Sequence, residues 1–360
     1  MARQKVRAKS RLWVFLGLGL LMWACASDRG SQRLPQLSER QVSETVIPSS
    51  CFYPTGIRDH SGHILKPEAV DRELAREIKK FLKANQMVGI FRTADGRKFD
   101  LPMTINAQVS AYIRHFCGSK KKVFSVYLAR SSRYLPMMKG IFKKQGLPQD
   151  LAYLAMIESG FSPWARSVAN AIGPWQFIRE TAVRYGLKVN HWIDERRDPE
   201  KATVAAARYL KDLYRQFGSW YLAAAGYNAG EKRVEGAVNR HDTRNFWDLA
   251  KKRVLPPETC NYVPQFIAAA LITKNPGKYG FTGISYQTPM RYSRVKLPGG
   301  TDLRWFARVL GISYETIKQL NPELQKAWVP LDCQEYLLKI PVRQQRIASR
   351  IAKICREMKK

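Results

Sequence analysis

The sequence predicts a mainly α protein: a helical central domain followed by a small unit of strand, helix, helix and strand. Three observations predict it. Apolar residues recur at helical spacing from Ile105 onward, and no alternation of strands with helices appears between residues 149 and 280. Residues 289–342 then switch to a βααβ pattern.

The 360-residue chain is 45% hydrophobic, enough for one substantial core with smaller units on either side. Its 61 basic and 29 acidic side chains give a net charge of +32, a field that draws anionic polymers or anionic lipid head groups. Nucleic acid is not expected as a partner: the basic residues are scattered, and the aromatics stand beside Ala, Gly and Asn rather than in basic-aromatic ribbons.

At the start of the chain, Arg3, Lys5, Arg7, Lys9 and Arg11 precede an apolar run at 12–24 that is too short for a comfortable membrane span. Residues 1–25 therefore read as a signal peptide. Leu21-Met22-Trp23-Ala24-Cys25 resembles a lipobox, in which Cys25 is lipidated and becomes the mature N-terminus. Met22 and Trp23 depart from that pattern, and Ala24-Cys25-Ala26 also suits an ordinary signal peptidase. No Asp follows Cys25, which in lipoproteins favours passage to the outer membrane. The expected location is thus the periplasmic side of the outer membrane, held by a lipid anchor, with a soluble periplasmic protein as the alternative. Five further cysteines, Cys51, Cys117, Cys260, Cys333 and Cys355, show no CxxC spacing, and the five histidines form no HExxH pair. Buried or disulfide-bonded thiols are the reading, and no metal or other cofactor is expected.

Residues 26–66 are polar and turn-rich, as a flexible tether would be. Residues 67–145 read as a mostly helical region packed on the central domain. Val70, Leu74, Ile78, Phe81 and Leu82 have helical spacing, and Asp95-Gly96 marks a small hairpin within 87–101. One helix follows at Ile105, Val109, Tyr112 and Ile113, then two more at 123–128 and 134–142, closed by Gly146 and Pro148. The central domain is expected at 146–285. Inside it, Asp198-Pro199-Glu200 has the chemistry of a helix start: Asp accepts orphan amides, Pro loses no hydrogen bond at the first position, and Glu suits the positive dipole end. That helix runs to Gly218. The small unit, 289–342, has strands at 292–297 and 336–340, with Thr301 capping the first helix and Ser313 the second. Residues 343–360 are a basic tail, a short helix or a frayed end.

The first chemical candidate is Glu158. Leu151, Leu154, Ala155 and Glu158 share one helix face, so a carboxylate lies in line with an apolar stripe near a helix end. Burial disfavours its charged form and raises its pKa, which suits a general acid that protonates a glycosidic oxygen. A Glu at a helix end is more often on the surface or in an ion pair.

The residues downstream of Glu158 change that balance. Glu158-Ser159-Gly160, Ala165-Arg166-Ser167, Ala171-Ile172-Gly173-Pro174-Trp175-Gln176-Phe177, Ala225-Gly226-Tyr227-Asn228-Ala229-Gly230 and Glu258-Thr259-Cys260-Asn261-Tyr262-Val263-Pro264 occur in order. With His191 to Pro199 and Leu128 to Pro136, the set resembles family 1 lytic transglycosylases, relatives of goose-type lysozyme, over residues 100–285. The resemblance implies a lysozyme-like helical catalytic domain at 146–285, the SLT domain, acting on peptidoglycan glycan strands. It implies that Glu158 first protonates the oxygen between N-acetylmuramic acid and N-acetylglucosamine. Glu158 then takes the proton of the muramic C6 hydroxyl, leaving a 1,6-anhydro end.

By motif, Tyr262 orients the Glu158 carboxylate. Ser159 or Ser167 bonds substrate or supports the acid, and Gln176, Tyr227 and Asn228 line the cleft. Trp175 stands with them as a sugar platform, and equally as a core residue. Tyr227 and Tyr262 also read as core tyrosines, and Asn228 as a helix-end cap. Pro174, Gly226 and Cys260 depart from the family pattern, and Gly226 is expected to loosen the backbone that aims Tyr227. Asp194, Glu195 and Asp198 offer a second catalytic carboxylate, but the stretch reads better as a turn with ion pairs to Arg196 and Arg197. Residues 292–342 resemble a degenerate LysM module through Leu297 to Leu303 and Leu320-Asn321-Pro322, and either bind glycan or dock on the catalytic domain. Two other functions stand beside a transglycosylase: a hydrolytic muramidase using Glu158 with water, and a non-catalytic glycan binder.

Overall fold

A computed structural model describes residues 91–93, 96 and 98–357. The expected signal peptide, Cys25, the tether and the helix at 67–82 lie outside the described residues. The hairpin is present, with β1 (Phe91–Arg92) antiparallel to β2 (Lys98–Phe99). Helix α1 (Ala107–Cys117) starts at Asn106, whose side chain accepts from the Val109 amide.

Where two helices were expected, α2 (Lys121–Lys144) is a single helix of 24 residues. Ser131 and Ser132 look like a polar joint in sequence, but their hydroxyls donate to the carbonyls of Leu128 and Ala129 inside the same helix. Pro136 removes one amide without ending the helix, because buried Phe124, Leu128, Leu135, Met138 and Phe142 hold both halves on the core.

The segment carrying Glu158 starts as a 3-10 turn (Gln149–Tyr153) and continues as α3 (Leu154–Ser159), with residues 150–156 all buried. It stops at Gly160, whose φ is +58°. A Cβ there would stand 2.1 Å from the Tyr127 ring, so only glycine lets α3 end this close to α2.

Next come α4 (Arg179–Arg184), α5 (Pro199–Phe217), α6 (Trp220–Ala229), α7 (Glu231–His241), α8 (Phe246–Lys251) and α9 (Pro257–Lys274). α5 begins as its sequence indicates: the Asp198 carboxylate accepts from the amides of Glu200 and Lys201, and Gly218 ends the helix at φ +66°. α9 packs on α1, α3 and α6 and is buried over most of its length, from Thr259 to Ile272, making it the axis of the domain.

The βααβ unit is also present. β3 (Ser293–Pro298) pairs antiparallel with β4 (Glu335–Ile340), with Ser293 opposite Ile340, and α10 (Leu303–Val309) and α11 (Tyr314–Leu320) lie between them in sequence. Ser313 caps α11 as expected. Asp302, not Thr301, caps α10, because the Thr301 hydroxyl donates to the Pro298 carbonyl within the turn. Of the two readings of the basic tail, a short helix or a frayed end, the structure has the helix, α12 (Gln345–Glu357), packed on β3. Its Ala348, Ile351 and Ala352, at i, i+3 and i+4, are buried in the same core as β3 and β4.

This unit is docked on the helical domain. The Asp194 amide donates to the Glu323 carbonyl at 2.8 Å, and the Gln325 amide to the Trp192 carbonyl at 2.9 Å. Between them, Lys339 Nζ stands 2.7 Å from both Asp198 oxygens, with both side chains buried. Burial, with the Asp198 charge nearby, pushes the Glu323 carboxyl up, and the Tyr336 hydroxyl donates to it. Cys117, Cys260 and Cys355 are free thiols, and Cys333 Sγ donates to the Pro330 carbonyl at 3.1 Å. No helix among the described residues is long and apolar enough to cross a membrane.

Candidate active site

Three helices bring the candidate residues together. Glu158 lies in the last turn of α3, Tyr227 near the end of α6, and Tyr262 in the second turn of α9. The Tyr262 hydroxyl donates to Glu158 Oε1 at 2.5 Å. Glu158 is half-buried, and loss of water around it pushes its carboxyl up from 4.5 to about 7. The Tyr262 hydrogen bond opposes that rise by favouring the charged form, and the nearby Glu258 charge adds to it. Burial first, then the Glu158 charge, holds the Tyr227 and Tyr262 hydroxyls well above the ordinary tyrosine range, so both remain donors. A carboxyl of this affinity can hold a proton near neutrality and release it.

The remaining predicted residues divide by what their polar atoms touch. Ser159 Oγ donates to the Pro174 carbonyl at 2.9 Å and accepts from the Ser162 amide, tying the end of α3 to the 173–176 loop. Tyr227 anchors the same loop by donating to the Trp175 carbonyl at 2.8 Å. Ser167 is buried and accepts from the Ala171 amide, which closes a turn instead of reaching a ligand. Gln176 is partly exposed at φ +47°, and its Nε2 donates to the Gly173 carbonyl. Trp175 is not a sugar platform: it is fully buried, and its indole N–H donates to Thr203 Oγ1 at 2.8 Å. A Trp needs one polar partner when buried, and Thr203 supplies it.

Asn228 is not a helix-end cap either. α6 ends with Gly230 as its cap, and the Asn228 side chain crosses to α9, where Thr259 Oγ1 donates to its Oδ1 at 2.7 Å. Its Nδ2 donates to Glu258 Oε1 at 3.4 Å. Gly226 does not loosen the helix. A Cβ there would press on Leu213 Cδ2 and Phe217 Cε2, each at 3.0 Å, so the glycine permits close packing of α6 on α5. Gly173 is more constrained still, with φ +85° and a would-be Cβ 1.8 Å from the Arg196 carbonyl oxygen.

The three carboxylates weighed as a second catalytic acid have other partners. Asp194 holds Arg196 through both oxygens at 2.8 Å. Glu195 accepts from the Lys188 amide and Lys201 Nζ, and Asp198 caps α5 while holding Lys339. The second carboxylate near the site is Glu258, which stands inside a motif of the sequence without a role marked for it. Its signal was present in the spacing: Glu258 and Tyr262 are i and i+4, one turn apart on one helix face. It is exposed, and partial desolvation raises its pKa while the Asn228 hydrogen bond lowers it.

Residues 137–250 match the family model described as "Transglycosylase SLT domain". The chain is 34% identical over 239 residues to the membrane-bound lytic murein transglycosylase D of Escherichia coli strain K12, across 65% of this chain and 51% of that protein. It is 37% identical over 102 residues to the peptidoglycan transglycosylase gp16 of Escherichia phage T7, across 26% of this chain and 8% of that one. A structural likeness to the 70 kDa soluble lytic transglycosylase of Escherichia coli covers 52% of this chain and 34% of that one, with 19% identity and a TM-score of 0.37. The chain spans about half the length of the lytic murein transglycosylase D sequences it matches. Residues 137–250 match the transglycosylase SLT domain, and over 239 residues the chain is similar to lytic murein transglycosylases.

Proposed function

We propose that this protein cleaves the β-1,4 bond between N-acetylmuramic acid and N-acetylglucosamine in peptidoglycan without using water. The observation that carries the reading is the Tyr262–Glu158 hydrogen bond on a carboxyl whose affinity for a proton is raised to about 7. Protonated Glu158 gives its proton to the glycosidic oxygen as the bond to the anomeric carbon breaks, and the muramic N-acetyl oxygen stabilises the sugar cation. The carboxylate so formed takes the C6 hydroxyl proton, O6 bonds to the anomeric carbon, and Glu158 is again protonated at the end of the turnover. Tyr262 holds the carboxylate in place through both steps. Gln176 and Asn228 present amides to sugar and N-acetyl groups, while Ser159, Ser167, Tyr227 and buried Trp175 shape the walls from behind.

In the same reading, Cys25 carries a lipid that holds the enzyme on the periplasmic side of the outer membrane. The C-terminal unit is a LysM-like module that adds glycan contacts, and its half-exposed Trp305 and Trp328 suit sugar rings. The domain limits remain those read from the sequence, except that the module extends through α12.

Mass spectrometry of sacculi digested by the purified protein tests the reaction. Anhydro ends weigh one water less than the reducing ends a muramidase would leave. Glu158→Gln is expected to abolish lysis while sacculus binding persists. Reducing ends, or lysis retained by Glu158→Gln, would overturn the proposal.

A further inference from the structure

We propose that the outer face of α12 docks on an anionic lipid bilayer. The helix uses one stripe, Ala348, Ile351 and Ala352, to pack on its own module. Beside that stripe, Ile347 and Ile354 remain 50% and 54% exposed, and Val342, just before the helix, is 52% exposed. The two isoleucines are seven residues apart, so they project from the same side about 10 Å from each other. An ordinary solvated helix face does not repeat a large apolar residue at that spacing.

The neighbouring side of the helix is cationic. Arg346, Arg350 and Lys353, at i, i+4 and i+7, are exposed, and Arg343 lies just upstream. Arg343, Arg346 and Arg350 have no acidic partner among the described residues, and Lys353 meets Glu357 only at 3.9 Å with both side chains exposed. Several other basic side chains in this unit are paired, Lys339 with Asp198, Arg294 with Glu200 and Lys296 with Glu335, while Arg304, Arg308 and Lys326 have no acidic partner among the described residues. Unneutralised guanidinium groups beside exposed isoleucines have the chemistry of an interfacial helix, in which cations meet phosphates and apolar side chains enter the head-group boundary. Charge alone would suit a glycan strand with acidic stems equally well. The isoleucines decide between them, because a hydrated glycan has no apolar layer to receive them. The docking is also independent of the cleavage reaction, since α12 packs on β3 rather than on α3, α6 or α9.

Co-sedimentation of the full chain with vesicles of mixed phosphatidylcholine and phosphatidylglycerol, against vesicles of phosphatidylcholine alone, tests this. Two double variants are compared with the unaltered protein: Ile347→Ser with Ile354→Ser, and Arg346→Glu with Arg350→Glu. Each should lower partitioning onto the anionic vesicles by roughly tenfold or more. Lysis of sacculi should stay unchanged, which also reports that the variants are folded. Everything upstream of α12 is the same in every protein compared, so the ratio decides rather than the absolute binding. Equal partitioning of all three proteins overturns the proposal. So does loss of binding in the arginine variant alone, because a surface read only by charge is not a bilayer-docking face.

Discussion

Replacing Glu158 with Gln should stabilise the protein while destroying its activity, and the gain should depend on pH. The native carboxyl has its pKa raised from 4.5 to about 7, chiefly by burial. The folded state therefore holds this proton more tightly than the unfolded chain does. At pH values below 4.5 both states are protonated and the group contributes no difference; between 4.5 and about 7 stability falls as pH rises, and above that the loss is complete. At 1.36 kcal/mol per pK unit the full loss is about 3 kcal/mol, which solvent reaching the half-buried carboxylate reduces to about 1–3 kcal/mol. Gln keeps the shape, still accepts the Tyr262 hydrogen bond and cannot ionise. Urea unfolding near pH 8 should thus show Glu158→Gln more stable than the unaltered protein by about 1–3 kcal/mol, and near pH 4 by less than about 0.5 kcal/mol. Lysis should fall by about a thousandfold or more at either pH. A stability difference of the same size at both pH values would refute the claim that this carboxyl is held against its preference for water.

The same geometry sets three further outcomes. Tyr262→Phe removes the donor that favours charged Glu158, so the limb on which activity falls with rising pH should move to higher pH, with peak rate reduced by about 10- to 100-fold in a sacculus-lysis profile. Glu258→Gln removes a negative charge that raises Glu158, so the same limb should move to lower pH. Lys339→Met leaves the Asp198 carboxylate buried without its partner and should destabilise by about 3–5 kcal/mol in urea, with part of the loss recovered by adding Asp198→Asn.

Local rules were enough for much of the fold. Asp198-Pro199-Glu200 marks the start of α5 because capping chemistry is complete within three residues, and the βααβ order is visible because period-two and helical patterns differ within a short span. What stayed hidden needed partners far apart in sequence. Ser131 and Ser132 look like a break until their hydroxyls are seen bonded within α2. Trp175 looks available to a sugar until Thr203 is found against its indole. Near the site, the motifs make Glu158 and Tyr262 legible, but nothing local distinguishes Glu258 from a first-turn Glu serving the helix dipole. The capping role of Asp198 is local, whereas its pairing with Lys339, 141 residues later, has no local signature.

That pairing has a consequence for how the chain comes apart. One carboxylate both starts a central helix of the catalytic domain and receives a cation from the neighbouring module, while the adjacent Asp194 and Trp192 share backbone bonds with it. Arg196, two residues before Asp198, in turn bonds the carbonyls of Asn170 and Phe177, and its own carbonyl backs Gly173 in the loop that Ser159 and Tyr227 anchor. Melting should accordingly be a single transition spanning both units. A fragment severed between residues 285 and 289 would retain every motif of the SLT-like region while stranding a buried anion and freeing the strut behind the 173–176 loop, so the smallest autonomous piece is larger than the smallest recognisable one.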